Sequence, residues 1–267
     1  MTMDADEIAL LTETLRATMT GSTGDSLDRA LLDFGWLDLL TESPEVAIPL
    51  VFRLLGETGA HAPVLNDVVA HGAGRDLPAI VALPFAGGRW VVWGRAVAGQ
   101  PVSAVPALDP ELPVRRVLAG ETLPLAQGRR ALAWWLVGTS RAMLNLARRH
   151  ALDRIQFGRP LAAHQAVRHR LAETLVAIEG AEATLAAADT DLGALLAKAA
   201  AGHAARLTAR HCQQVLGGIG FTAEHDFHRH ARRALVLDGL LGSAAELTRE
   251  AGAWVRTRAT APRLAQL

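Results

Sequence analysis

Residues 121–258 read as long helices with few breaks, and that pattern fixes the fold class as mainly α. Four helical segments follow one another: Leu132 to Ala151, Ala163 to Thr190, Leu192 to Val215, and Ser243 to about Thr257. In the second, Leu171, Leu175, Ile178 and Leu185 share one face at helical spacing. The third stops at Gly217-Gly218. Antiparallel helices of this length predict a four-helix bundle.

The rest of the chain falls into two zones. Residues 1–75 read as an N-terminal helical region, with one helix over Ser26–Leu40 capped by Ser26 and another over Ile48–Gly59. Residues 76–120 carry Pro78, Pro84, Gly94, Gly99, Pro101, Pro106, Pro110 and Pro113, which exclude a long helix. Between these breakers lie β-type runs at Ala79–Leu83, Trp90–Trp93, Val102–Val105 and Val114–Leu118, with Gly87-Gly88-Arg89 as a hairpin turn. The expected organisation is therefore a helical region over 1–75, a reduced β-segment over 76–120, and a bundle domain over 121–267.

Composition narrows the function. Lys+Arg and Asp+Glu are 27 each, which argues against a general nucleic-acid or membrane-surface binder. No apolar run is long enough to span a bilayer. Cys212 is the single cysteine, so neither an intrachain disulfide nor a cysteine-held metal cluster can form. The expectation is a cytoplasmic protein.

Two segments carry the chemistry. The first is Asp153-Arg154-Ile155-Gln156-Phe157-Gly158-Arg159-Pro160-Leu161, followed by His164-Gln165-Ala166 and Leu171-Ala172-Glu173. The second begins at Ala197-Lys198-Ala199 and ends at Gln214-Val215-Leu216-Gly217-Gly218-Ile219-Gly220-Phe221. Taken singly, an arginine after a helix and a Gly-Gly pair after another read as helix ends; Arg154, Gln214 and Gly217-Gly218 together also offer the guanidinium, amide donor and close backbone approach that a phosphate group needs.

Together, in this order and spacing, the two segments resemble the signatures of the acyl-CoA dehydrogenase family over roughly residues 129–258. The resemblance implies that Arg154, Gln156, Phe157, Gln165, Gln214, Gly217 and Gly218 form a half-site for FAD seated on a neighbouring subunit. It also implies an acyl-CoA substrate, whose thioester is dehydrogenated between its α and β carbons.

The sequence departs from the family where the proton is removed. The usual glutamate before a Gly-Thr or Gly-Ser pair is replaced by Leu241, before Gly242-Ser243. The alternative glutamate position falls at or near Gly128, also not acidic. Leucine cannot accept a proton. Asp238, three residues earlier, is the candidate for a displaced base, with Asp226 and Glu246 the other nearby acids. The β-zone lacks the family's flavin-contacting stretches, and Trp93 stands where a small polar residue is expected. By resemblance, then, this is the non-catalytic member of a heterotetramer with a homologous catalytic subunit, of the kind that handles steroid-derived CoA esters. Two alternatives stay open: a self-sufficient enzyme with a displaced base, and a non-redox binding module.

Other clusters carry weaker signals. His225, His228 and His230 lack the further ligand zinc would need, so no metal is expected. Arg148-Arg149 with His150 could meet CoA phosphates or simply end a helix. Trp134-Trp135 read as core or subunit interface.

Overall fold

A computed structural model of the chain describes residues 3–95 and 109–260. The run Val102–Val105, expected as a strand, lies outside the described residues.

The N-terminal region is a set of short helices. Helix α1 (Ala5–Gly21) is opened by a capping box, in which Glu7 N donates to Asp4 at 2.8 Å and Asp4 N donates to Glu7 at 2.9 Å. The single helix expected over Ser26–Leu40 is two: α2 (Asp25–Asp33) and α3 (Trp36–Glu42). Gly35, at φ 91°, turns the chain between them. Ser26 is not the cap; Gly24 holds that position, and the Ser26 hydroxyl donates to Thr23 O. Helix α4 (Pro44–Thr58) begins earlier than expected because Pro44 suits a first helical turn, and it ends at left-handed Gly59. Helix α5 (Val64–Gly72) follows.

The middle segment is one antiparallel sheet, β1 (Ala82–Phe85), β2 (Arg89–Trp93) and β3 (Val114–Val117), in that order. Gly87 and Gly88 make the β1–β2 turn at positive φ, as the sequence predicts. Strand β1 starts three residues later than the run Ala79–Leu83. Ala79 is drawn out of the ladder, since its N–H donates to Asp67 and its carbonyl accepts from Arg95. Pro84 is tolerated because β1 is an edge strand.

The C-terminal half holds α6 (Ala126–Asp153), α7 (Gln165–Ala186), α8 (Asp191–Leu216), α9 (Phe227–Gly239) and α10 (Ala244–Arg258). Helix α9 is the element that sequence periodicity left unassigned. Arg141 on α6 pairs with Glu179 and Glu182 on α7, and Thr174 on α7 meets His211 on α8 at 3.1 Å. These contacts run α7 antiparallel to both neighbours. Helix α4 lies along α6, where Gly56 and Gly138 leave no room for a Cβ against the facing backbone.

A small cluster packs α10 on the start of α8, and one large core joins the N-terminal helices, the sheet and helices α6 to α9. At its centre Trp36, Phe52, Trp135 and Trp93 form a chain of rings, with Trp93 stacked on Trp135 at 5.6 Å between centroids. Trp135 is therefore core; Trp134 is partly buried against it.

Candidate functional site

The seven residues expected to form the half-site lie at one end of the bundle. Arg154 is the C-cap of α6. A hairpin follows, β4 (Ile155–Gln156) and β5 (Arg159–Pro160), turned by Phe157 and Gly158 at φ 54° and 77°. Gln165 opens α7, and Gln214 sits in the last turn of α8. Gly217 ends α8 at φ 63° and starts a 3-10 turn, Gly217–Phe221. The antiparallel packing carries the C-terminus of α6, the N-terminus of α7 and the C-terminus of α8 to the same end.

This end is open to solvent. Arg154, Gln156, Gln165, Gln214 and Gly218 are exposed, and Arg154 enters no ion pair among the described residues. Space is open where Cβ atoms would stand on Gly217 and Gly218, so a ligand can approach their backbone. Large apolar side chains surround the group: Phe157 is 91% exposed and Phe221 74%, with Ile155 and Leu152 also exposed. Phe157 leans edge-on against His164, whose buried Nε2 has no hydrogen-bond partner.

The position of the missing base lies at the other end of α8. Leu241 is buried at φ 55°, held by its N–H donating to Pro84 O at 2.8 Å. Its side chain faces Gly128: a Cβ there would come within 2.8 Å of Leu241 Cδ1 and 2.7 Å of Val69 Cγ2. The two positions where a base was sought are thus neighbours, and both are apolar. Lys198 underpins the loop, donating to Asp238 O at 3.0 Å and Gly242 O at 3.3 Å. Burial pulls its ammonium down to about 8.

The nearby acids have structural partners. The Asp238 carboxylate accepts from Ala244 N at 3.1 Å, at the start of α10. Glu246 closes the capping box of α10 with Ser243 and accepts from Gly87 N at 2.8 Å. Those backbone and hydroxyl donors hold it down to about 2. Asp226 occupies the N-cap position of α9 without a side-chain cap bond. No group of three or more His, Cys, Asp or Glu that could hold a metal ion occurs among the described residues.

Two buried ion networks escaped sequence reading. Arg233 pairs with Asp109 and Glu111 and donates to Gly59 O and Ala60 O, while Arg229 also binds Glu111. Arg95 pairs with Asp28 and Asp67, and Asp67 also accepts from Trp36 Nε1. The paired charges lie up to 124 residues apart, and no local pattern links them.

FAD fits the open end in its donor chemistry: an arginine, three amides and a glycine turn face solvent without competing acids in ion pairs with them. The filled end is different. Trp93, Trp135, Leu241 and Val69 occupy the interior between β2, α5 and α6.

Comparison with known proteins agrees with this architecture. Residues 119–255 match the model for the acyl-CoA dehydrogenase C-terminal domain. The chain is 36% identical over 197 residues to acyl-CoA dehydrogenase FadE34 of Mycobacterium tuberculosis, covering 66% of this chain and 27% of that protein. It is 35% identical over 172 residues to acyl-CoA dehydrogenase IpdE2 of the same organism, covering 61% and 53%. The chain thus spans between about a quarter and about half of these relatives. Among solved structures, a variant of the Tcur3481–Tcur3483 steroid ACAD aligns with a TM-score of 0.74 at 20% identity, covering 96% of this chain and 99% of that one. The ChsE4–ChsE5 complex of M. tuberculosis aligns at 0.69 and 19%, covering 98% and 99%. The family model spans just over half of the chain, and the chain belongs to the acyl-CoA dehydrogenase family.

Proposed function

We propose that this chain is the non-catalytic subunit of a heteromeric acyl-CoA dehydrogenase. It lends the pyrophosphate end of FAD a half-site made of Arg154, Gln156, Phe157, Gln165, Gln214, Gly217 and Gly218. The flavin ring and the base belong to a homologous catalytic partner, and the assembly is a heterotetramer.

The separation of the two ends carries this reading. Lys198, which holds the Leu241 loop, and Gln214 are sixteen residues apart on α8. At 1.5 Å per residue that is about 24 Å, more than a ribityl chain and one ring can bridge. A flavin held at Gln214 therefore cannot react at the Leu241 position of the same chain. The exposed Phe157, Phe221 and Ile155 give the open end the apolar rim of a protein interface. Two of the similar structures are of paired proteins, one described as a steroid ACAD, which favours a bulky, steroid-type acyl group.

In such an assembly FAD would supply the hydride acceptor. This chain's residues would bind and orient it. The Arg154 guanidinium would pair with the pyrophosphate, the Gln214 amide would donate to a phosphate oxygen, and the Gly217-Gly218 turn would admit the phosphate to the backbone. The base is not in this chain: Leu241 has no lone pair, and the Asp238 carboxylate serves Ala244 N.

The test is expression alone and with homologous dehydrogenases from its own genome, read by flavin absorbance and acyl-CoA-dependent dye reduction. Flavin and turnover are expected only in the paired preparation. Turnover by the chain alone would overturn the reading in favour of a self-sufficient enzyme. A colourless complex with every partner would replace it with a binding module.

A further inference from the structure

We propose that the open end of the bundle is built to take an unlike chain with an acidic face, and that its arginines repel a second copy of this chain. The assignment rests on the subunit reading above and adds to it the chemistry of the partner's surface.

Charge is unevenly distributed. The whole chain balances 27 basic against 27 acidic residues. Between Asp153 and Arg170, by contrast, stand four arginines, Arg154, Arg159, Arg168 and Arg170, and one acid, Asp153. All four arginines are exposed and enter no ion pair among the described residues. Helix electrostatics does not account for them. Arg168 and Arg170 stand within two turns of the N-terminus of α7, whose first turn holds no acid. The helix dipole is positive there and favours anions, so it gives these cations no support. Nor does the cofactor use them up. A doubly charged pyrophosphate seated on Arg154 leaves Arg159, Arg168 and Arg170 without a counter-charge.

The same arginines share ground with the exposed rings. Arg159 Nη2 lies 3.4 Å from His164 Nδ1, and Phe157 leans edge-on against the same imidazole at 6.1 Å between centroids. Arg159 also stands opposite Gln156 across the β4–β5 hairpin. Arg168 is one turn along α7 from Gln165, on the same face. Guanidinium groups therefore border both the exposed Phe157 and the half-site glutamines.

This combination selects the partner. An apolar patch drives association with any apolar surface, while charge decides which one. In a symmetric pair of identical chains a patch meets itself, so each arginine cluster would face another while the rings lose water. A homologous chain with carboxylates at the matching places would meet it with opposite charge. The open end is thus kept for the acidic homologue and closed to like chains.

The test reverses the charge. Arg159→Glu/Arg168→Glu/Arg170→Glu makes the open end acidic, and a copy so changed stands in for the acidic homologue. All three side chains are exposed, so the thermal midpoint should not change. Sedimentation velocity follows the wild-type chain, the variant and their equimolar mixture at about 50 mM and about 500 mM NaCl. Each chain alone should stay monomeric at the lower salt. The mixture should form a one-to-one dimer that weakens at least tenfold at the higher salt, where the charges are screened. Phe157→Gly in both chains should weaken that dimer too; a dimer indifferent to Phe157 lies elsewhere and counts against the proposal. With the homologous dehydrogenase that yields flavin and turnover in the paired preparation, affinity should fall at least tenfold over the same salt range, and at least tenfold in the variant at the lower salt. A wild-type chain that dimerises by itself at low salt, a mixture that stays monomeric, or a salt-insensitive complex with the homologue overturns the proposal. Retention of the wild-type chain, but not the variant, on vesicles containing phosphatidylglycerol would also overturn it, in favour of an anionic membrane surface. If no homologue pairs, the subunit reading falls; if one pairs with an affinity independent of salt, that reading stands and only the acidic face is lost.

Discussion

The two ends of α8 have opposite characters. At its N-terminal end, Leu241 is packed against Gly128, Val69 and the sheet, and the carboxylates of Asp238 and Glu246 are engaged by backbone donors. At its C-terminal end, an arginine, three glutamines and two glycines stand in solvent among exposed phenylalanines. An enzyme acting alone needs the reverse: room and a base where proton transfer occurs, and a covered cofactor. The contrast teaches that this chain has finished its own packing at one end and left the other for something to cover.

The largest expected effect breaks the filled end. Leu241→Glu places a carboxylate against Gly128 and Val69, with the nearby Arg129 guanidinium bonded to the Leu241 carbonyl, and should cost about 3–5 kcal/mol at neutral pH. Urea denaturation measures it, and the loss should shrink in acid as the new carboxyl takes a proton. A cost below about 1 kcal/mol would mean that the site accepts a carboxylate, and the contrast between the ends would fail.

Acid acts next on the interior. His61 and His230 are both held near 4 in the fold, chiefly by burial, against 6.5 when unfolded. The unfolded chain takes up their protons first, so stability is full above about pH 6.5 and falls as pH drops towards 4. At pH 5 the loss should be about 2–4 kcal/mol for the pair. Denaturation of the His61→Gln variant across this window should show a shallower slope; an unchanged slope would remove His61 from the account.

How far the sequence disclosed this molecule depended on whether the information was local. The helices of the bundle, the Gly87-Gly88 turn and the glycine stops at Gly59 and Gly217 follow from periodicity and backbone freedom, which neighbouring residues carry. The Gly35 break was missed because the apolar run Leu31 to Leu40 passes over it at helical spacing. The start of β1 was missed because Asp67 and Arg95, distant in sequence, claim the Ala79 backbone. For the site, local motifs picked out residues that the fold carries to one bundle end. The meeting of Gly128 with Leu241 and the structural duty of Asp238 are tertiary facts, with no trace in any one segment.

At the open end, Arg154→Ala should leave the chain's own stability unchanged, since the side chain is exposed and in no ion pair among the described residues. In the assembled enzyme it should weaken flavin retention by roughly tenfold to a hundredfold, as expected for a hydrogen bond to a charged group worth about 1.5–3 kcal/mol. Flavin content after gel filtration of the complex reads this directly. Unchanged retention would detach Arg154 from the half-site.

The smallest effect separates folding from assembly at a single residue. Phe157 holds φ 54° at the tip of the β4–β5 turn, a conformation that costs a residue with a Cβ about 1–2 kcal/mol. Phe157→Gly removes that strain. The unfolded chain gains freedom from the same change, so the net stabilisation of the isolated chain should be no more than about 1 kcal/mol. The substitution also deletes the most exposed large ring at the open end apart from the scaffold it stands on. If that ring is kept for contact, the variant should melt slightly higher alone yet assemble less tightly with its partner, by about tenfold for the loss of one anchoring aromatic. Opposite signs in the two measurements would identify strain retained for binding. A variant that melts higher and assembles equally well would leave Phe157 without a role in the interface and restrict the open end to its polar residues.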